Sequence, residues 1–364
     1  MQAANLKVWW SICGFWMRVL IFSLLSVPVV CGQGPLLPAP HSPEIVPVES
    51  NYLLPPVPVG TVIESGSALP AARTPFVGDV SCPNYWIVSS RCSIQSIYGH
   101  KSWGLDVYQR LPNGEMQQTS VESLAAQIVP GIPVCVFAHG SFVKWESQCR
   151  EAEQAYATFR ASCPNMPVQM IFFTWPSDGP YTHILPIDAS VRGERAEFNG
   201  FHMCYLLSHL PESCPTCLIG HSHGTRVVLS TLHLAGGGEI QGHVFTGSVG
   251  NRRMRAVLAA AATDHFWLNP RQRYGCAMPR VECLLNLQNR ADFPLAFYSF
   301  SHPFAGGALA RTGFTDWDLR RIGSNSGKIT ECDVTRLIGS NHLWPQYFSE
   351  PEIVSTMLPY IYFQ

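Results

Sequence analysis

The sequence predicts an α/β fold, a mostly parallel central sheet with helices on both faces, and three observations carry that prediction. From about Tyr85 onward short apolar runs alternate with helical segments, the order that strand-helix-strand units require. Three of the runs, Val134-Cys135-Val136-Phe137-Ala138, Val168-Gln169-Met170-Ile171-Phe172-Phe173 and Cys217-Leu218-Ile219, are almost continuously apolar, as strands covered on both faces must be. The last of them runs straight into the turn Gly220-His221-Ser222-His223-Gly224, which opens a helix.

Taken in order, residues 85–91 and 105–108 read as early antiparallel edge strands. Residues 145–161, 196–210 and 225–234 carry apolar side chains at helical spacing. Gly236-Gly237-Gly238 then stops the last of these helices; a nucleotide-binding glycine loop would instead follow a strand and open a helix. Further strands are expected at 243–246, 281–287 and 328–334, and a C-terminal helix at 351–358. The stretch 251–280 is longer than a minimal connection needs to be, and is expected to form a lid or a disulfide-braced insertion over the pocket.

With 364 residues, 46% of them hydrophobic, and a formal charge of -1, the chain can bury a large core but lacks the charge excess of a nucleic-acid binder. One folded domain, residues 81–364, accounts for the pattern. Ahead of it, Lys7 and Arg18 flank or interrupt an apolar stretch ending Val19-Leu20-Ile21-Phe22-Ser23-Leu24-Leu25-Ser26-Val27-Pro28-Val29-Val30. Residues 1–32 therefore read as an export signal cleaved near Gly32, placing the protein in the periplasm, cell envelope or medium. An uncleaved anchor formed by residues 8–30 ranks second, because Arg18 interrupts the span, and lipidation of Cys31 third, because Pro28, Val29 and Val30 are not the small residues expected before it. Residues 33–80, with Pro35-Leu36-Leu37-Pro38-Ala39-Pro40 and Leu54-Pro55-Pro56-Val57-Pro58, read as a semi-extended linker.

Thirteen cysteines in an exported chain would be free to form disulfides, in pairings that spacing does not define. Cys214-Pro215-Thr216-Cys217 has redox spacing but precedes a strand, whereas a thioredoxin-like thiolate sits at the start of a helix. It reads as a structural bridge or as two unpaired thiols. Histidines and cysteines do not recur at metal-ligand spacing, so no metal and no cofactor is expected.

The chemistry concentrates on Ser222. In a sharp strand-to-helix turn a serine hydroxyl is lifted above the sheet, with glycines where side chains would strike the neighbouring strand and helix, and a helix N-terminus behind it to favour a developing oxyanion. The plain alternative is a serine capping an ordinary helix. A nucleophile here would use the backbone N–H of His223 as one oxyanion donor. The second is expected from His139-Gly140-Ser141-Phe142 after the strand ending at Ala138, at Ser141 or, failing that, Phe142. The base should follow the last strand, where His342 stands in Gly339-Ser340-Asn341-His342-Leu343-Trp344. For the acid, Asp292 just beyond the strand at 281–287 leads, with Asp333 and Asp264 as competitors. Trp175, Phe142 and His221 fall near the mouth, as pocket wall or as packing.

From residue 85 to residue 357 the chain resembles an uncharacterised bacterial α/β-hydrolase family. The resemblance rests on Phe137-Ala138-His139-Gly140, Phe173-Thr174-Trp175-Pro176-Ser177, Asp188-Ala189-Ser190-Val191-Arg192 and Gly220-His221-Ser222-His223-Gly224-Thr225-Arg226-Val227. Asp292 with Pro294-Leu295-Ala296, then Cys332-Asp333-Val334-Thr335, His342 and Tyr347-Phe348, complete it. It implies an α/β-hydrolase fold and a serine hydrolase with Ser222, His342 and Asp292 in the three roles. His223 departs from the methionine or glutamine commoner after the nucleophile. The leading reading of these residues is cleavage of an ester-like acyl bond in a small-molecule or acyl substrate through an acyl-enzyme, with thioesterase or peptidase chemistry as the alternative on the same machinery; the rival from another class is a catalytically silent binding module of the envelope on the same scaffold.

Overall fold

The computed structural model describes residues 84–93, 95, 104–301 and 305–364, so residues 1–32 and 33–80, expected to be an export signal and a linker, lie outside the described residues. Among the described residues, nine strands form one sheet: β1 (Tyr85–Ser89), β2 (Asp106–Arg110), β3 (Met116–Thr119), β4 (Val134–Ala138), β5 (Gln169–Thr174), β6 (Thr216–His221), β9 (Met254–Ala259), β10 (Cys283–Gln288) and β11 (Ile329–Asp333). A separate two-stranded hairpin joins β7 (Glu239–Ile240) and β8 (His243–Val244). The order across the sheet is β11-β10-β9-β6-β4-β5-β1-β2-β3. Every pairing from β1 to β11 is parallel, and β2 and β3 add an antiparallel edge.

The principal helices are α1 (Val121–Gln127), α2 (Trp145–Ser162), α3 (Leu185–His209), α4 (Gly224–Ala235) and α5 (Pro351–Tyr362). Alternate strand residues feed two cores. Val134, Val136 and Leu218 face α3 and α4 on one side, while Cys135, Phe137, Phe172 and Ile219 face α2 and α5 on the other. Burial of each large apolar side chain is worth about 1.5–3 kcal/mol, which is why the central strands read as unbroken apolar runs. No helix among the described residues is long and apolar enough to cross a membrane.

Several expectations are corrected. The expected strand at 243–246 is only the hairpin strand β8, and the sheet position beside β6 belongs to β9, inside the stretch expected to be an excursion. The remainder of that stretch is no disulfide-braced lid. Arg273 grips the buried Glu197 of α3 through a two-pronged ion pair at 2.6 and 2.7 Å, Tyr274 Oη donates to the same carboxylate at 2.6 Å, and Cys276 N–H donates to His233 Nδ1 of α4 at 3.0 Å. Cys276 is an unpaired thiol, as are the other nine described cysteines. Cys214 and Cys217 lie in opposite cores. β1 is not an edge strand, since β5 and β2 flank it.

α3 begins eleven residues before the expected 196, because its first turns are satisfied by polar contacts. Pro186 has no N–H to lose, Asp188 accepts from the N–H groups of Tyr181 and Thr182 at 2.7 and 3.1 Å, and Arg192 pairs with Asp188 at 2.6 Å.

Candidate active site

The carboxyl end of β6 runs into α4 through two residues, and Ser222 between them sits at φ 53°. That is left-handed backbone, costly for a residue with a side chain, and the surroundings enforce it. Ser222 N–H donates to Ala259 O of β9 at 2.9 Å, and Ser222 O accepts from the Thr225 N–H and hydroxyl at 3.1 and 2.6 Å. The flanking glycines are required by crowding: a Cβ on Gly220 would stand 2.6 Å from Thr225 Cα, and one on Gly224 would overlap Ala138 O.

The structure brings Ser222, His342 and Asp292 into one chain of hydrogen bonds. His342 Nε2 lies 2.9 Å from Ser222 Oγ, and His342 Nδ1 lies 2.7 Å from Asp292 Oδ2. Asp292 is fully buried, and its other oxygen accepts from Leu295 N–H at 3.0 Å. A buried acceptor at Nδ1 puts the imidazole proton there and leaves Nε2 bare toward the serine. The competitors serve elsewhere. Asp264 accepts from the N–H groups of Gly306 and Gly307 at 2.7 and 3.2 Å, and Asp333 accepts from Thr335 N–H at 2.9 Å while pairing with the exposed Arg290 at 3.4 Å.

One organising residue escaped the sequence reading. Asn289 Nδ2 donates to Gly339 O and Asn341 O at 2.9 and 3.2 Å, tying the loop after β10 to the loop that carries His342. Its signal was a polar side chain between an apolar strand and Asp292, which looks like any turn asparagine until the partner loop is known.

Upstream, the β4 loop returns to the same point. Ser141 Oγ and His223 Nδ1 are 2.7 Å apart, so the two residues expected to supply oxyanion donors are joined through their side chains. Phe142 is not a substitute donor, because its N–H is given to Ser177 O at 2.8 Å. Phe142 also has left-handed backbone, φ 63°, and its exposed ring carries the Arg192 guanidinium 3.9 Å from its centroid. Trp175 is core and not pocket wall: it is fully buried, stacked on His139, with Nε1–H donating to His139 O at 2.9 Å.

His139 and His221 brace this region as neutral imidazoles. His139 Nδ1–H donates to Gly140 O at 2.8 Å, leaving Nε2 to accept from the Thr174 hydroxyl at 2.8 Å. Burial, with the Arg91 charge for His139 and His342 for His221, holds both pKa values down to about 3. A histidine near 6.5 unfolded and near 3 folded favours the native state only above the unfolded value, and that contribution fades as pH falls from 6.5 toward 3. The urea midpoint is therefore expected to drop steadily on acidification through this window; a flat profile would contradict neutral burial of both rings.

No family model matches the chain, and no curated protein or solved structure matches it. Among the described residues, no group of three or more histidine, cysteine, aspartate or glutamate side chains is placed to hold a metal ion.

Proposed function

We propose that the chain is a serine hydrolase of the α/β-hydrolase type that cleaves an ester-like acyl bond by way of an acyl-enzyme. The observation that carries this is the unbroken line from Asp292 Oδ2 through His342 to Ser222 Oγ, at 2.7 and 2.9 Å, on a left-handed strand-to-helix turn. His342 Nε2 takes the Ser222 proton as Oγ attacks the acyl carbonyl carbon, then returns it to the leaving oxygen; water repeats the sequence to free the acid. The N–H groups of His223 and Ser141 would receive the oxyanion, backed by the N-terminus of α4. Asp292 stabilises the imidazolium.

An acyl substrate fits the edge on which these groups stand. Phe142 follows Ser141, Phe293 follows Asp292 and Leu343 follows His342, and all three side chains are exposed, with the exposed Phe297 and Phe300 continuing from Phe293 in ring contacts of 5.3 and 6.2 Å. Apolar side chains left in water around a polar centre suit a ligand with an apolar arm. An alkyl fluorophosphonate probe tests the proposal. The wild type is expected to be labelled covalently and Ser222→Ala to give only background. A wild type no brighter than Ser222→Ala would favour a silent binding module. In a panel of acyl esters, thioesters and peptide amides, esters are expected to turn over fastest.

A further inference from the structure

We infer that His221 is a positioning residue for His342, pinning the main chain of the base to the strand that carries the nucleophile; the inference rests on the function proposed above. His221 Nε2–H donates to the backbone carbonyl of His342 at 2.6 Å. The imidazole rings of the two residues are 5.2 Å apart, and Trp344 and Tyr347 each lie 6.0 Å from the His221 ring. On its other side, His221 Nδ1 faces the oxyanion loop: a Cβ on Gly140 would stand 2.9 Å from it. One buried side chain thus touches the nucleophile turn, the donor loop and the base loop.

The other restraints on His342 come from a different quarter. Asp292 fixes the ring through Nδ1, Asn341 Oδ1 accepts from the His342 N–H at 2.9 Å, and Asn289 holds Gly339 and Asn341. These tether the base to itself and to β10. Across the gap to β6 the His342 ring meets Ser222 Oγ, while the main chain of that loop is met by His221. Because His221 and Ser222 are consecutive, their Cα atoms are about 3.8 Å apart, so a carbonyl held by one is held in register with the other. The acceptor dictates the tautomer, and a neutral ring suffices, consistent with its burial. A shift of about 1 Å between base and nucleophile costs roughly 100-fold in rate.

Three substitutions separate positioning from filling. Glutamine places an amide N–H where Nε2 stands, asparagine reaches only to the Nδ1 position, and phenylalanine keeps the ring without a donor. Fluorophosphonate labelling of His221→Phe and His221→Asn is expected to slow about 10- to 100-fold, with His221→Gln recovering most of the loss. Ester kinetics should show the loss in kcat, with KM little changed. A second readout does not depend on turnover: the deshielded Nδ1 proton of His342 in 15N-labelled protein should persist in wild type and His221→Gln, and shift or broaden in His221→Phe. The inference is overturned if His221→Phe leaves both the labelling rate and that proton unchanged, or if His221→Gln falls as far as His221→Phe. A wild type that is never labelled defeats the hydrolase reading instead, and the proton signal still decides the role of His221.

Discussion

Asp292→Asn is expected to lower kcat by about 10^4-fold while leaving the fold intact, and Asp333→Asn to change it less than about twofold. The first effect follows from the partners of the two carboxylate oxygens. Oδ1 accepts from Leu295 N–H at 3.0 Å, so an asparagine keeps its carbonyl oxygen there and turns its NH2 toward His342 Nδ1. Nδ1 must then accept, the ring proton moves to Nε2, and Nε2 points a hydrogen at Ser222 Oγ, 2.9 Å away, where a bare lone pair is needed. Ground-state distances barely change, yet the base is disabled. Asp333, held below the usual carboxylate range by hydrogen bonds from Thr335, has no route to the imidazole. The assay is steady-state hydrolysis of an activated ester with active-site titration. Comparable losses in the two variants would refute the assignment of the acid.

Ser222 carries the second large effect, and it has two separable parts. Ser222→Ala and Ser222→Gly should both lose activity by about 10^4-fold or more, since no other group stands at the Oγ position. Their stabilities should differ. Alanine keeps a Cβ at φ 53°, whereas glycine occupies left-handed backbone without that penalty. Ser222→Gly is therefore expected to be about 1 kcal/mol more stable than Ser222→Ala, with a higher urea midpoint and a Tm about 2–4 °C higher. If alanine proved the more stable, the left-handed conformation would not hold in solution.

What could be read from the residues alone depended on whether a signal was local. β4, β5 and β6 announce themselves because strands covered on both faces must be apolar throughout, and the turn at Ser222 because its two glycines answer steric contacts with Thr225 and Ala138. β9 was illegible. Met254-Arg255-Ala256-Val257-Leu258-Ala259 follows Arg252-Arg253, carries Arg255 at its second position, is rich in alanine and runs on into Ala260-Ala261-Ala262, none of which marks a strand. Val244-Phe245-Thr246 nearby has strand-forming residues yet supplies only a hairpin, since the place beside β6 is decided by packing between the two cores. β3, Met116-Gln117-Gln118-Thr119, is polar because it is an edge, and only its pairing with β2 defines it. In the site, Ser222, Asp292 and His342 could be placed by chain order. The contacts that orient them, Asn289 to the His342 loop and His221 to the His342 carbonyl, join segments whose proximity no local pattern encodes.

The hydrogen bonds that define the site span 120 residues from Ser222 to His342 and 50 from Asp292 to His342. Closing loops of that length is slow relative to forming helices, and β6, β9 and β10 must all be in register before the three groups can meet. A collapsed intermediate with native helices and an unfinished sheet would thus have Ser222 without its hydrogen bond to His342. On the proposed function, the return of fluorophosphonate reactivity at Ser222 during refolding would trail the return of helical signal, so labelling of Ser222 would act as a clock for the last stage of sheet assembly.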